Sequence, residues 1–384
     1  MASDSPDPKL TALLRDRVFP GLTRVCPAAV GAIMLRFGGD RYLAPVPTPA
    51  GMTSRELVRH AVTFGEPPRI PYACISPLHS DFCELAGFSA LTTDGKRQGL
   101  PDRKGELAYD EWGVGFKWTG RLRNQALVHP LRDLRALDDY RFPAIADPGR
   151  YRWAGPVIRR ANATGKYVVA PDPVMLAERA RFLMGFDNLL VAAYADPARV
   201  QALLARLTDL IIAGLQQWAR QGRLDAFMTW DDWGLQTGPM VSPRFFREVF
   251  GPHYARIIDA THRAGLHFIW HCCGHITELI PTMIELGADV LQLDQPRLLG
   301  HETLAERFGG RICFWNCADI QWSPRPETSA ADIEREIAHM VQVYGRFRGG
   351  LMLRQYPQPL DIGMTEEKLK AEHEAFLRYG AQRM

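Results

Sequence analysis

Short apolar runs alternate with amphipathic helical patterns through most of this chain of 384 residues. The runs have the length and the β-branched and aromatic content of buried strands. They lie at 70–75, 166–170, 226–230, 267–270, 290–293, 312–315 and 351–353. Apolar residues at helical spacing fill the segments between them, for example 200–221, 243–264 and 331–343. Because such alternation is typical of a parallel sheet with helical crossovers, the sequence predicts an α/β fold.

Polar or reactive residues follow the predicted strands, and this favours a closed barrel over an open sheet. In a (β/α)8 TIM barrel the carboxyl ends of the strands form the active-site face. An open nucleotide-binding sheet would require a G-x-G-x-x-G motif after a strand, and the sequence has none there. We therefore predict a (β/α)8 TIM barrel over 53–384, with a capping-box helix start at Thr53 and Glu56. Residues 1–52 are predicted to form an N-terminal extension, and 109–118 a β-hairpin excursion.

The charge, the apolar runs and the cysteine content of the chain argue against several classes of protein. The net charge of +3 and the lack of a dense basic run argue against a nucleic-acid partner. No segment approaches the roughly 20 apolar residues of a membrane span, and the first residues lack a secretory-signal pattern. The seven scattered cysteines indicate free thiols in a reducing compartment. We therefore predict a cytoplasmic protein that acts on a small molecule, with its oligomeric state left open.

The pair His271 and Cys273 follows an apolar run and precedes a helical pattern. Residues two apart at an extended strand end point the same way, so an imidazole and a thiolate there can share one zinc ion. Cys317, two strands later, is the best third ligand, because its strand end faces the same cavity. Cys272 alternates away into the barrel wall. The alternative is that these cysteines only pack as small apolar residues.

Charged residues at two other strand ends are candidates for catalysis. Asp231 and Asp232 are neighbouring carboxylates, and one of them is expected to face the cavity and handle a proton. Arg354 ends the last strand, where a guanidinium suits a carboxylate or phosphate group of a substrate. An ion pair between Arg354 and Asp294 or Asp319 is an equal alternative.

Aromatic and amide side chains near the strand ends are candidates for substrate binding. Tryptophans in such positions wall pockets for flat ligands, although ordinary packing is the commoner role of any single one. The candidates are Glu111, Trp112, Trp233, Gln236, Gln295 and Trp315.

Five segments taken together resemble the uroporphyrinogen decarboxylase superfamily, and more closely its branch of corrinoid-dependent methyltransferases of the methylcobalamin:thiol type. The segments are 54–71; 110–113 with 129–131; 231–236 with 241–243; 271–274 with 287–290; and 349–353. The resemblance spans 53 to the C-terminus and implies a (β/α)8 barrel, in agreement with the strand–helix pattern.

The resemblance also implies a cofactor and partners. In the methyltransferase branch the His-x-Cys pair binds Zn²⁺ with a further cysteine just after the last strand. The zinc makes an acceptor thiol nucleophilic towards the methyl group of methylcobalamin, the co-substrate, which is free or held by a small corrinoid protein. This chain reads Arg354-Gln355-Tyr356-Pro357 at that point, with no cysteine. Either Cys317 substitutes, or a carboxylate does, or zinc is absent.

The sequence thus predicts an enzyme, a zinc-dependent methyltransferase of the corrinoid type. The alternative is a metal-free decarboxylase or lyase of the same fold, acting on a smaller carboxylic acid. True uroporphyrinogen decarboxylases carry an Arg-Gln-Ala-Gly-Arg segment after the first strand, and the stretch 76–82 of this chain has no arginine. That difference disfavours a tetrapyrrole substrate with many carboxylates.

Overall fold

The computed structural model describes residues 51–74, 80–85, 104–117, 125–357, 359 and 362–381. The predicted extension at 1–52 lies outside these residues except at its last two positions, and so do 76–79. The described chain divides into two compact units. The barrel unit contains the described residues before 86, residues 158–172 and the residues from 223 onward. The second unit contains the described residues of 86–157 and 173–222.

Eight parallel strands of the barrel unit form one sheet with the order β1-β11-β10-β9-β8-β7-β6-β2. They are β1 (Tyr72–Ala73), β2 (Phe82–Glu84), β6 (Tyr167–Pro171), β7 (Ala226–Trp230), β8 (His267–His271), β9 (Val290–Leu293), β10 (Cys313–Asn316) and β11 (Leu351–Arg354). Seven of them match the predicted runs, whereas β2 was not recognised in the sequence. The sheet forms a nearly closed barrel and confirms the predicted (β/α)8 fold.

Helices lie between the strands, and the helical patterns at 200–221, 243–264 and 331–343 fall on them. They are α1 (Ser54–Val62), α2 (Ala154–Ala163), α3 (Leu176–Met184), α4 (Phe186–Ala195), α5 (Pro197–Gln221), α6 (Pro243–Phe245), α7 (Gly251–Arg263), α8 (Ile280–Glu285), α9 (Pro296–Leu299), α10 (His301–Phe308), α11 (Ala330–Tyr344) and α12 (Glu366–Gly380). Thr53 and Glu56 form the predicted capping box at α1. A π-helical turn, Phe246–Phe250, joins α6 to α7, because Pro252 has no N–H for regular α-helical bonding at that point.

The inward faces of the eight strands fill the barrel with apolar side chains. Phe82 and Trp315 stack there with ring centroids 4.5 Å apart. Along β7 and β8 the residues of this core are Ala226, Met228 and Ile269, with the partly buried Trp230 packed against them. Because side chains alternate along a strand, Trp230 and His271 continue the inward face to the carboxyl ends of β7 and β8.

The second unit contains a small antiparallel sheet of three strands, β3 (Leu107–Tyr109), β4 (Gly115–Lys117) and β5 (Gln125–Val128). It confirms the predicted β structure at this point of the chain. The sequence had indicated a two-stranded hairpin, and β5 is the strand that this interpretation missed. Nowhere in the described part of the chain is a helix both long and apolar enough to cross a membrane.

Candidate metal centre

Asp232, His271 and Cys273 bring three different ligand atoms together at the carboxyl ends of β7 and β8. His271 Nε2 lies 3.5 Å from Cys273 Sγ and 3.5 Å from Asp232 Oδ1. All three ligand atoms lie within 4.8 Å of one another, and no other group of three among the described His, Cys, Asp and Glu residues does so. The two predicted ligands His271 and Cys273 are therefore neighbours in space, and a carboxylate completes the cluster.

The backbone around the cluster is held by hydrogen bonds between the loops that follow β7 and β8. The amide of Cys273 donates to Asp232 Oδ1 over 2.8 Å, so the carboxylate is held against the backbone of Cys273. The amide of Gly234 donates to the carbonyl of Cys273. Gln295 Oε1, from the end of β9, accepts from the amide of Gly274 at 2.8 Å. Gln295, predicted to bind substrate, thus supports the loop that carries Cys273.

His271 is buried, and its second ring nitrogen has a partner of its own. Nδ1 lies 2.5 Å from Gln292 Oε1, and Gln292 is the register partner of His271 on β9. Gln292 Nε2 in turn donates to Asp294 Oδ1 over 2.7 Å. Gln292 was not among the residues singled out from the sequence. An amide inside an otherwise apolar strand, Val290–Leu293, was the signal that it had a specific partner.

Of the two neighbouring aspartates, Asp232 lies in the cluster and Asp231 binds elsewhere. Asp231 is fully buried, and its Oδ2 accepts from the hydroxyl groups of Tyr254, at 2.8 Å, and Thr229, at 3.2 Å. Asp231 therefore ties the end of β7 to helix α7, which carries Tyr254. The sequence left the choice between the two open, and these hydrogen bonds assign the cavity-facing position to Asp232.

Cys317 is not part of the group of ligand atoms. It is fully buried, and its Sγ lies 3.5 Å from the carbonyl oxygen of Asp294 and 3.6 Å from Asp294 Oδ1. Burial, reinforced by the nearby carboxylate of Asp294, raises the pKa of the Cys317 thiol well above its usual value. Cys272 turns away from the cluster, as alternation predicted, and its Sγ accepts from the amide of Trp233 at 3.1 Å.

Arg354 lies at the inward-facing end of β11, where it contacts two other inward-facing side chains. Its Nη2 is 3.5 Å from Glu84 Oε2, and its guanidinium lies 4.8 Å from the centroid of the Trp315 ring. Glu84 is on β2, the strand that the sequence did not reveal. The ion-pair partner of Arg354 in the structure is therefore Glu84, whereas the sequence suggested Asp294 or Asp319.

Three other residues predicted to bind substrate lie in the barrel unit, and two of them are buried tryptophans. Trp315 is fully buried, and its Nε1 donates to the carbonyl of Leu353 at 3.2 Å. Trp233 is 2% exposed and packs edge-on against the rings of Phe246 and Phe250. Gln236 is exposed on the loop after β7.

Glu111 and Trp112 belong to the second unit and form ion-pair and ring contacts there. Glu111 pairs with both terminal nitrogens of Arg150. The ring of Trp112 is buried under the guanidinium of Arg179, which lies 4.5 Å from its centroid and also binds Asp110. Within the described residues these two predicted substrate contacts therefore act as packing and pairing partners of arginines.

A central part of the chain is similar to a known protein family. A family model described as uroporphyrinogen decarboxylase (URO-D) matches residues 173–314. The predicted resemblance to the uroporphyrinogen decarboxylase superfamily is confirmed. The match covers β7, β8 and β9 and so includes every residue of the Asp232–His271–Cys273 cluster. No curated protein matches the sequence at a significant level.

One solved structure superposes on most of this chain, and others are similar at lower scores. A methyltransferase from Methanosarcina mazei superposes with a TM-score of 0.61 at 14% sequence identity, covering 85% of this chain and 99% of that chain. A GH5 cellulase affiliated with Bacteroidetes has a TM-score of 0.41 at 12% identity, covering 85% and 97%. A D-psicose 3-epimerase has a TM-score of 0.36 at 9% identity, covering 65% and 87%. The similarity to the M. mazei protein shows that the two chains share the barrel fold.

Proposed function

We propose that this protein is a zinc-dependent methyltransferase of the corrinoid type, with His271, Cys273 and Asp232 as its metal ligands. The observation that carries the proposal is the convergence of an imidazole nitrogen, a thiol sulfur and a carboxylate oxygen at two neighbouring strand ends. The carboxyl ends of barrel strands are where such enzymes carry out their chemistry. Of the alternatives that the sequence left open, a carboxylate therefore replaces the missing cysteine.

The donor set and its spacing fit zinc. Imidazole, thiolate and carboxylate are the side-chain ligands that zinc uses. Bond lengths of about 2.0–2.1 Å to nitrogen and about 2.3 Å to sulfur give a tetrahedral nitrogen–sulfur edge of about 3.5 Å. His271 Nε2 and Cys273 Sγ are 3.5 Å apart. Three protein ligands leave a fourth position open, which is the arrangement of catalytic rather than structural zinc sites.

We propose a thiol as the small acceptor of the methyl group. Bound zinc supplies a Lewis acid that lowers the pKa of an acceptor thiol. With zinc held by His271, Cys273 and Asp232, the acceptor sulfur would lose its proton to solvent and take the methyl group of methylcobalamin. The sulfur–carbon bond would form as the cobalt–carbon bond broke, and the electron pair of that bond would remain on the cobalt of the co-substrate.

The residues of the chain contribute position and shielding. The amide of Cys273 donates to Asp232 Oδ1, which holds the carboxylate next to the backbone that carries the Cys273 thiol. Trp230, the register partner of His271, is partly exposed at the inward end of β7, whereas Trp233, Trp270 and Trp315 are buried. We propose that its ring forms a wall of the acceptor site.

The methyltransferase of M. mazei that shares the fold supports this choice of reaction over others on the same barrel. We further propose a small corrinoid protein as the partner that presents the methyl group. A cytoplasmic location is proposed because the cysteines of the described residues are all free thiols, as expected in a reducing compartment.

Metal analysis of the purified protein tests the ligand assignment. We expect about one zinc ion per chain in the wild type, and loss of zinc in His271→Ala, Cys273→Ser and Asp232→Ala. Cys272→Ser is the matched control, because Cys272 is adjacent in sequence but its Sγ is bound to the Trp233 amide. A wild-type protein with well under one zinc ion per chain, unchanged in His271→Ala, would contradict the zinc assignment.

An activity assay separates the proposed reaction from the alternative decarboxylase. Demethylation of methylcobalamin in the presence of a thiol is followed by its visible absorbance, and we expect Cys273→Ser to abolish it. A metal-free decarboxylase would retain most of its activity on a carboxylic acid in the same variant. Carbon dioxide release that survives Cys273→Ser, without methyl transfer by the wild type, would favour the alternative.

A further inference from the structure

We infer that Gln292 and Asp294 are positioning residues that hold His271 in the tautomer with its proton on Nδ1 and its lone pair on Nε2. The lone pair is thereby directed at the side of the ring where Cys273 and Asp232 lie. The part of this inference that concerns metal binding rests on the proposed function. The assignment of the tautomer itself stands on the hydrogen bonds of the protein alone.

The first step is the contact between His271 and Gln292. The two residues are register partners on β8 and β9, and both side chains are buried at the carboxyl end of the barrel. His271 Nδ1 and Gln292 Oε1 are 2.5 Å apart. An amide oxygen only accepts hydrogen bonds, so this contact requires a proton on Nδ1.

The second step fixes which amide atom faces the ring. Gln292 can present either oxygen or nitrogen, and its orientation is set by the group at the other end of the amide. That group is Asp294 Oδ1, 2.7 Å from Gln292 Nε2. A carboxylate only accepts, so it binds the NH₂ side of the amide and leaves the oxygen to His271. Asp294 therefore sets the orientation of the Gln292 amide, and this orientation determines which ring nitrogen of His271 carries the proton.

The third step concerns Cys317, which supports Asp294. Its thiol lies within 3.6 Å of both the carbonyl oxygen and Oδ1 of Asp294. The amide of Ile320 also donates to the Asp294 carbonyl, at 3.0 Å. Burial keeps the Cys317 thiol protonated, and a protonated thiol donates to these oxygens. The cysteine that the sequence suggested as a metal ligand is thus a donor to Asp294.

The consequence is a preformed ligand. A metal binds the unprotonated nitrogen of a neutral imidazole, and the partner of the other nitrogen decides which one that is. If Nε2 carried the proton, it would face Cys273 Sγ at 3.5 Å and could not accept a metal there. Loss of such a partner typically weakens metal affinity by about 10- to 100-fold.

The test is nitrogen NMR of metal-free protein labelled with ¹⁵N-histidine, recorded at a mildly alkaline pH. The His271 signals are assigned by their absence in His271→Ala. In the wild type we expect the pattern of long-range nitrogen–proton couplings that marks an imidazole protonated on Nδ1. We expect the same pattern in Cys317→Ser, whose hydroxyl still donates to Asp294. We expect His271 in Gln292→Leu to lose its preference for the tautomer protonated on Nδ1. An Nε2–H pattern in the wild type would overturn the inference.

Zinc affinity measured by competition with a chelator is the second readout. Gln292→Leu should bind zinc about 10- to 100-fold more weakly than the wild type, and Cys317→Ser should match the wild type. Unchanged affinity in Gln292→Leu would remove the role in metal binding. If neither the wild type nor any variant binds zinc, but the wild-type His271 ring carries its proton on Nδ1, the proposed function fails and the tautomer assignment stands. If zinc binds and the metal-free ring is Nε2–H, the assignment fails alone.

Discussion

Gly234 and Gly274 lie so close that a Cβ atom on Gly274 would be 2.3 Å from the carbonyl carbon of Gly234. The contact is mutual, since a Cβ on Gly234 would be 2.4 Å from the carbonyl carbon of Gly274. The two glycines lie in the loops after β7 and β8, which carry Asp232 and Cys273. The backbone-to-backbone contact therefore sets the distance between the two loops that supply metal ligands.

Replacement of Gly274 by alanine should destabilise the protein and weaken zinc binding. Gly274 has φ of +80°, which costs an alanine about 1–2 kcal/mol. Displacement of the packed Gly234 backbone adds about 1–3 kcal/mol. We expect a loss of about 2–5 kcal/mol in the free energy of unfolding, measured by denaturant titration. Zinc affinity should fall as well, because Cys273 shifts away from Asp232.

Gly265→Ala is the matched control for this substitution. Gly265 has a similar φ of +75°, but nothing lies within 4 Å of its Cβ position. Gly265→Ala should lower the free energy of unfolding only by the cost of the backbone conformation, about 1–2 kcal/mol. Its zinc affinity should stay at the wild-type value. Equal effects of the two substitutions on stability and zinc would show that the contact between the loops does not position the ligands.

Cys317→Ala should retain about one zinc ion per chain at saturating zinc, whereas Asp232→Ala should not. The reason is that Asp232, not Cys317, shares the cluster with His271 and Cys273. Metal content measured after removal of loosely bound ions compares the two variants directly. Loss of zinc from Cys317→Ala with retention in Asp232→Ala would restore the cysteine as the third ligand.

The strands and the chemistry at their ends could be predicted from the sequence because both depend on local patterns. Seven apolar runs gave seven of the eight barrel strands, and β2 was missed because its sequence, Phe-Cys-Glu, is too short to show a period. His271 and Cys273 could be paired because residues two apart share a strand face.

The partners of these residues could not be predicted, because they depend on register between strands that are distant in sequence. Gln292 faces His271 only because β8 and β9 align at that pair. The choice of Asp232 over Asp231 depends on Tyr254, whose hydroxyl binds Asp231 from helix α7. The burial of Trp233 and Trp315 also follows from packing, since their strand-end positions in sequence resemble that of Trp230.

Arg179→Ala should destabilise the second unit strongly. Arg179 is 2% exposed, binds Asp110 at 2.9 Å and lies over the Trp112 ring. Removal of one partner of a buried ion pair leaves the other charge uncompensated, at a cost of about 3–5 kcal/mol. Burial raises the pKa of Asp110, so part of this cost is relieved when that carboxyl takes up a proton.

An exposed arginine of the same unit provides the comparison for Arg179. Arg135 pairs with Asp133, but its side chain is 86% exposed. Arg135→Ala should therefore leave the free energy of unfolding almost unchanged, because solvent screens an exposed ion pair. A small effect of Arg179→Ala, similar to that of Arg135→Ala, would mean that the contacts of Arg179 with Asp110 and Trp112 contribute little to stability.

Glu372 should make the stability of the barrel unit fall as the pH rises. It lies on α12, is 2% exposed, and accepts from the amide of Ala318 at 3.3 Å. Burial raises the pKa of Glu372 from 4.5 to about 8. Between these values the folded protein holds a proton that the unfolded chain has released. The stabilisation is complete below about pH 4.5, and each further pH unit up to about 8 removes up to about 1.4 kcal/mol.

Glu372→Gln should remove this pH dependence, because glutamine keeps the shape of a protonated glutamate and does not titrate. Urea unfolding between pH 5 and 8 should give a flatter profile for Glu372→Gln than for the wild type. Glu374→Gln is the control, because Glu374 lies on the same helix with its side chain 55% exposed. It should leave the wild-type slope unchanged. Parallel profiles for the wild type and Glu372→Gln would show that this carboxyl is already ionised in the folded protein.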